Sequence, residues 1–298
     1  MVDLCIVIPT FNRKKQLSIL LDQFKKQDCK ILNYKIVVVV DGSTDGTIEL
    51  IKIQFPDVHV IKGNGNWWFT RSLNEGCKYA VNNLQAGLIL TINDDVQIPD
   101  DYLSLIMNNY NQCEPNSIIG SCSYSLDDPT MITFAGIKSQ NWLMKYFYYI
   151  KGQTKVDVKK LKGVKPSVTL PTRGLLIPST ILKAVNYFDE KCFPQYASDF
   201  DFVLRAARNK VKIFISYDAY VLEDTKLTSK GNPRLANGFK NFLKNVFFNK
   251  YSSNYFFKDL HMAWRFGNKI LFPIYFVRII VAIPYIYFKY NPFRIKDV

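Results

Sequence analysis

Four short apolar runs separated by helix-like stretches limit the possible folds of this chain more than any other feature. Leu4–Pro9 (LCIVIP), Tyr34–Val40 (YKIVVVV), Val58–Lys62 and Leu88–Asn93 (LILTIN) read as strands. Between them, Lys14–Lys26, Gly46–Phe55 and Ser72–Leu84 carry apolar residues near a 3.6-residue period. The second and fourth runs are apolar almost throughout, as strands covered on both faces must be. Such alternation predicts βαβ units and an open, mostly parallel α/β sheet flanked by helices. A chain of 298 residues, 48% hydrophobic, is long enough to bury that core.

Open α/β sheets bind ligands beyond the carboxyl ends of their strands. The first strand is followed by Pro9-Thr10-Phe11-Asn12-Arg13, the second by Asp41-Gly42-Ser43-Thr44-Asp45-Gly46 and the fourth by Asn93-Asp94-Asp95. Neither GxGxxG nor GxxxxGK[ST] is among them, which disfavours dinucleotide and P-loop chemistry. A rim of carboxylates facing a phosphorylated ligand calls for a divalent cation between the two. Asp45 is expected to cap the helix that follows it.

Further on, Met131–Ile137 and Ser167–Pro178 look extended. Between them, Gln140–Lys165 holds Trp142 and Tyr146–Tyr149, then six lysines from Lys151 to Lys165. That composition suits either a solvated mobile loop or a lid over an anionic substrate. Tyr196-Ala197-Ser198-Asp199-Phe200-Asp201 then leads into a helical stretch, and a strand ends at Glu223-Asp224.

PTFNR, DGSTDGT, NDD and the SDFD element, in that order at strand ends, resemble the family 2 glycosyltransferases of GT-A fold. The resemblance covers roughly residues 3–225, and LPTRGLLIPSTILKAVNYFDEKCFPQYASDFDFVLRA is similar to the acceptor-side half of bacterial rhamnosyl- and galactofuranosyltransferase-like members. It implies a GT-A catalytic domain over 1–225, with a nucleotide-sugar-binding half (1–125) and an acceptor-side half (126–225). The implied reaction is inverting, metal-dependent transfer from a UDP- or dTDP-sugar to a hydroxyl of a glycan acceptor, lipid-linked, in bacterial surface-polysaccharide assembly. A sugar-nucleotide-binding protein that has lost turnover, or a nucleotidyltransferase, are the alternatives.

The resemblance also implies roles. Asp199 matches the base that takes the acceptor hydroxyl's proton. Asp95 matches a ligand of Mn²⁺ or Mg²⁺, and Asp94 the neighbour nearer the donor sugar and ribose. The family's metal-binding His is replaced by Glu223, an oxygen donor suited to the same hard cations. Asp41 matches the carboxylate that reads the base, with an Asx-turn as its bland alternative. Pro9, Thr10 and Arg13 match the nucleoside loop, where Arg13 could pair with phosphate or with a local acid. Trp67 and Trp68, in a Gly/Asn-rich loop, are expected to wall the sugar. Asp201 is expected to bind acceptor hydroxyls or to brace its own helix. Where relatives carry an acid before the base, this chain has Ser198.

Charge divides the chain. Residues 226–298 hold 13 Lys/Arg against 2 Asp/Glu, a surplus of +11 out of a total of +14, together with 18 aromatics. Phe239, Phe242, Leu243, Val246 and Phe247 fall at helical spacing. Ile270–Phe288 is 19 residues with one charge, Arg278, and two prolines. An arginine at mid-helix disfavours a span by about 2.5–3.5 kcal/mol. A peripheral amphipathic extension on an anionic membrane surface is therefore expected, against the alternative that it only covers the body. No nucleic-acid motif accompanies the charge. The six cysteines lack metal-type spacing and read as reduced thiols. The N-terminus enters LCIVIP directly, so no signal peptide is expected, and the location expected is the cytoplasmic face of the membrane.

Overall fold

A computed structural model describes residues 2–27, 33–226 and 238–289. Cys29 and the parts of the basic tail at 227–237 and 290–298 lie outside the described residues. The first half folds as strand–helix repeats: β1 (Leu4–Thr10), α1 (Lys14–Lys25), β2 (Tyr34–Asp41), α2 (Thr47–Gln54), β3 (His59–Gly63), α3 (Trp68–Asn82) and β4 (Leu88–Thr91). β1 lies parallel between β2 and β4, and β2 is parallel to β3. All seven residues of β1 are buried. Side chains alternate across a strand, so Cys5 and Val7 join the core under α3 and α6 (Ser198–Arg208) while Leu4, Ile6 and Ile8 join that under α1 and α4 (Tyr102–Asn111).

Beyond β4 come β5 (Val96–Gln97), β6 (Ile118–Ser125), β7 (Met131–Phe134), β12 (Leu175–Pro178), the short α5 (Ser179–Ala184) and β13 (Ile213–Glu223). The sheet is mixed. β12 runs antiparallel between β4 and β6, and β13 runs parallel to β6. These directions fix the site. The carboxyl ends of β1, β2, β4 and β13 and the turn entering β12 all reach one rim.

The 140–165 segment is more ordered than a plain loop, and most of its lysines stay exposed. It forms short strands: β8 (Ile137–Gln140) with β9 (Tyr146–Tyr148), β10 (Thr154–Lys155) on β7, and β11 (Val164–Pro166) on β13. Two of its lysines make contacts that hold it to its surroundings. Lys155 pairs with Asp128 at 3.1 Å, and Lys165 lies 5.2 Å and 5.4 Å from the Tyr149 and Tyr217 ring centres.

The extension contains α7 (Phe239–Phe247), α8 (Phe256–Phe266) and α9 (Phe272–Lys289). The predicted stripe on α7 is realised, and Phe242, Val246 and Phe256 form a small separate core. Among the described residues, Lys269–Phe288 is one helical stretch long and apolar enough to cross a membrane by length and composition, with 6% of it buried. The five described cysteines are free thiols.

Candidate active site

The rim is organised by arginines. Arg13, just past β1, places one guanidinium nitrogen 2.8 Å from Asp94 Oδ1 and 2.9 Å from Asp95 Oδ2. Thr10 donates its hydroxyl to Asp94 Oδ2 at 2.7 Å. Of the two roles open to Arg13, the local acids hold it here. Burial, reinforced by the neighbouring Asp95, pushes the Asp94 carboxyl up to about 6, although Arg13 and Thr10 pull the other way.

Asp41, at the end of β2, accepts three backbone N–H groups: Gly65 at 2.7 Å, Trp67 at 2.8 Å and Trp68 at 2.9 Å. It fastens the loop after β3 instead of forming an Asx-turn, and about one of its four lone-pair sites stays open. Close approach of the two loops needs glycine. A Cβ on Gly42, at φ +72°, would lie 2.5 Å from the Gly65 Cα. The tryptophans divide. Trp67 packs against the core with Arg71 over its ring, while Trp68, the first residue of α3, is 42% exposed and stacks on Tyr251 with centroids 3.9 Å apart. A cavity of about 460 Å³ opens here, lined by Pro9, Thr10, Arg13, Asp41, Trp68 and Asp94 among others. Ser72 Oγ, at its wall, and Asn93 Oδ1 are buried with no partner among the described residues. A ligand with complementary polar atoms would relieve such groups.

Across the rim, Glu223 pairs in register with Val96, next to Asp95, so the two residues expected to bind metal are neighbours. Glu223 forms an ion pair with Arg173. The same guanidinium feels the charges of Asp95 and Asp199. Asp199, in the first turn of α6, accepts the Phe200 N–H at 2.8 Å; burial raises its carboxyl pKa, and Arg173 holds it back. Arg173 is the residue the sequence reading passed over. Its signal was Thr-Arg-Gly before a strand: Gly174 adopts φ +80°, and a Cβ there would lie 2.4 Å from the Tyr102 hydroxyl. That turn aims Arg173 at the rim because β12 enters from that side.

Asp201 takes the bracing role, not the acceptor contact. It is fully buried, one oxygen held by Arg205 Nε at 2.8 Å and the other by Arg265 of α8 at 2.5 Å. Arg265 also reaches Asp189 at 2.7 Å, so the extension is latched to the helix carrying Asp199.

Among the described residues, no three His, Cys, Asp or Glu side chains form a ready-made cation site. Mg²⁺ and Mn²⁺ need none, since one or two carboxylates plus substrate phosphates suffice for such ions. Asp95 and Glu223, hard oxygen donors on neighbouring backbone positions, are of the type such a half-site uses.

The family model for glycosyl transferase family 2 matches residues 5–163, just over half of the chain. An uncharacterized glycosyltransferase of Rickettsia typhi is 27% identical over 202 residues, covering 66% of this chain and 56% of the relative. An undecaprenyl-phosphate 4-deoxy-4-formamido-L-arabinose transferase of Yersinia pestis is 31% identical over 109 residues, 35% of this chain and 32% of the relative. The chain thus spans between about a third and just over half the length of these relatives. Among structures, S. aureus TarS 1–349 in complex with UDP aligns with a TM-score of 0.56 at 16% identity, over 94% of this chain and 71% of that one. GalNAc-T7 with UDP, GalNAc and Mn²⁺ aligns with a TM-score of 0.60 at 13% identity, over 89% and 50%.

Proposed function

The chain belongs to glycosyltransferase family 2 and has its GT-A fold, and on that premise we propose an inverting, metal-dependent transfer from a UDP- or dTDP-sugar to a hydroxyl of a lipid-linked glycan. The setting is bacterial surface-polysaccharide assembly at the inner face of the cytoplasmic membrane, with the extension lying peripherally on anionic lipid. One observation carries the reading. The Asp94–Arg13–Asp95 cluster beside a nucleotide-sized cavity meets the Asp199–Arg173–Glu223 cluster on a single rim. The Yersinia pestis relative, named for an undecaprenyl phosphate substrate, supports the lipid-linked acceptor.

In this mechanism the remaining acceptor position of Asp41 reads the base, and Thr10 and Pro9 line the nucleoside. Asp94 faces the ribose and sugar, with Trp68 as the apolar wall. Asp95 and Glu223 would hold the divalent cation, which supplies positive charge to the leaving diphosphate. Asp199 takes the acceptor proton as the hydroxyl oxygen attacks the anomeric carbon from the face opposite the diphosphate. Burial disposes the Asp199 carboxylate to accept that proton, and Arg173 keeps it ionised until it does. Arg173 also offsets the negative charge of Glu223 and Asp95 before substrate arrives.

A thermal-shift screen of UDP, dTDP, GDP and CDP with and without Mn²⁺ is the direct test. Stabilisation by UDP or dTDP that depends on Mn²⁺, and disappears in Asp95→Ala, is expected. Glu223→Ala should weaken it, and Glu223→His should restore most of it. Stabilisation by none of the four nucleotides would remove the donor reading. Incubation with the donor should release a nucleoside diphosphate, whereas a nucleotidyltransferase would release pyrophosphate.

A further inference from the structure

A second cavity, of about 410 Å³, lies between the catalytic body and all three helices of the extension. Its body wall is Met144, Tyr146, Ala197 and Phe200, two of which flank Ser198-Asp199. Tyr146 packs edge-on against Phe200 at 5.9 Å; burial pushes its hydroxyl pKa up, with smaller contributions from Tyr148 and Asp199. Its far wall is apolar: Phe242 of α7, Phe256 of α8, and Ile279, Ile283 and Ile286 of α9. Polar groups are few. Lys258 pairs with Asp259 at 2.8 Å, Arg278 touches the Leu143 carbonyl, and the Asn254 amide nitrogen is buried with no partner among the described residues. One end of the space is therefore lined by residues on either side of Asp199. The other is formed by a helix whose outer side exposes Ile274, Val277 and Val281.

Resting on the glycosyl-transfer reading, we propose that this cavity seats the acceptor's apolar chain. The occupant is a polyprenyl diphosphate-linked glycan whose first isoprene units lie among Phe242, Phe256, Ile279 and Ile283. Its diphosphate meets Lys258, Arg278 and the Asn254 amide, and its sugar end faces Asp199. The volume falls within the range of small-ligand sites, and an apolar lining with a few convergent donors is their usual make-up. Two cations against one carboxylate suit an anionic headgroup. The exposed apolar side of α9 gives the rest of such a chain a path into the bilayer.

The test titrates the full-length chain, saturated with UDP so that the donor cavity is closed, with methyl, geranyl and farnesyl diphosphates and with inorganic pyrophosphate. Affinity should rise steeply with chain length, by about tenfold or more per isoprene unit, since each buried methylene adds about fourfold. Ala282→Trp, which fills the cavity from α9, and Met262→Trp, which fills it from α8, should each weaken farnesyl diphosphate at least tenfold while leaving UDP binding unchanged. Chain-length-independent affinity in the wild-type protein overturns the proposal, as does unaltered farnesyl binding in either tryptophan variant that still binds UDP. Dodecyl phosphate binding as tightly as farnesyl diphosphate overturns the choice of an isoprenoid over an acyl chain. A wild-type protein that binds farnesyl diphosphate and no nucleotide would leave the cavity standing and sink the donor reading instead.

Discussion

The catalytic body and the C-terminal helices distribute polarity in opposite ways. In the body, apolar residues face inward, β1 is wholly buried, and the charged groups that lie inside have partners: Asp94 with Arg13, Glu223 with Arg173, Asp41 with three backbone N–H groups. In the extension, α9 turns Val281 (62% exposed) and Phe288 (62%) outward, and Ile270 just before it is 85% exposed. Meanwhile two of its cations point at the body, Arg265 to Asp201 and Asp189 and Arg278 to the Leu143 carbonyl. Exposed apolar area of this extent marks an interaction surface. The body is built to hold charge in a low-dielectric rim; the extension turns apolar area outward, which in the proposed function faces the membrane. The arginines are the couplers.

The sharpest way to separate the two regions is to disable the chemistry of one and leave the other intact. Asp199→Asn should lower turnover by roughly 10²–10⁴-fold, the usual worth of a general base, with nucleotide and vesicle binding unchanged. Wild-type turnover in this variant would remove Asp199 from the reaction. Arg173→Gln follows, with turnover falling by about a hundredfold. The pH profile tells a charge effect from misfolding. Asp199 must be ionised to act, so the rate is lost as pH falls through its pKa. Arg173 holds that pKa down. Its removal should therefore move the acid limb of the pH–rate profile to higher pH, and a limb that stays in place would show that Arg173 acts only through packing.

The body was far more legible in the sequence than the extension, for a physical reason. Strands buried on both faces write continuous apolar runs, so β1, β2 and β4 could be read directly, and residues at their ends fell on the rim by topology alone. Arg173 could not be found that way, because it enters from an antiparallel strand whose direction depends on long-range pairing. Asp201 beside Asp199 offered two roles, and only the arrival of Arg265 from 64 residues away decides between them. Trp67 and Trp68 looked equivalent as a pair. The start of α3 at Trp68 turns one ring to the core and leaves the other in the cleft. The short strands of the lysine-rich 140–165 stretch could not be read because their partners, β7 and β13, are set by long-range pairing.

Breaking the coupling itself should have an intermediate effect. Arg265→Leu leaves Asp201, fully buried, with Arg205 as its remaining cation. An under-satisfied buried acceptor of this kind destabilises by about 2 kcal/mol, or about 3 °C in melting temperature for a chain of this size. Because Asp201 shares α6 with Asp199, kcat should fall while UDP affinity holds. Unchanged kcat with a lowered melting temperature would mean that the latch stabilises the extension without positioning the base.

The smallest expected effect lies on the outer surface, where single charges act additively and in water. Lys269 is exposed, sits 4.1 Å from the centre of the Trp264 ring, and precedes Ile270, a cation beside two outward-facing apolar groups. A lysine near an anionic bilayer contributes about 1 kcal/mol, so Lys269→Gln should weaken binding to anionic vesicles roughly fivefold while leaving UDP binding and melting temperature unchanged. The loss should shrink as salt rises, since the charge is screened over about 8 Å at physiological ionic strength. Trp264→Ala removes the apolar half of the same contact, so its loss should persist in high salt. The pair of variants separates the two contributions within one patch. Equal salt dependence in both would mean that Trp264 acts only by holding Lys269 in place. Indifference of both to vesicle binding would return the outward apolar face of α9 to another protein surface, leaving Arg265 and Arg278 to couple the body to that partner rather than to a membrane.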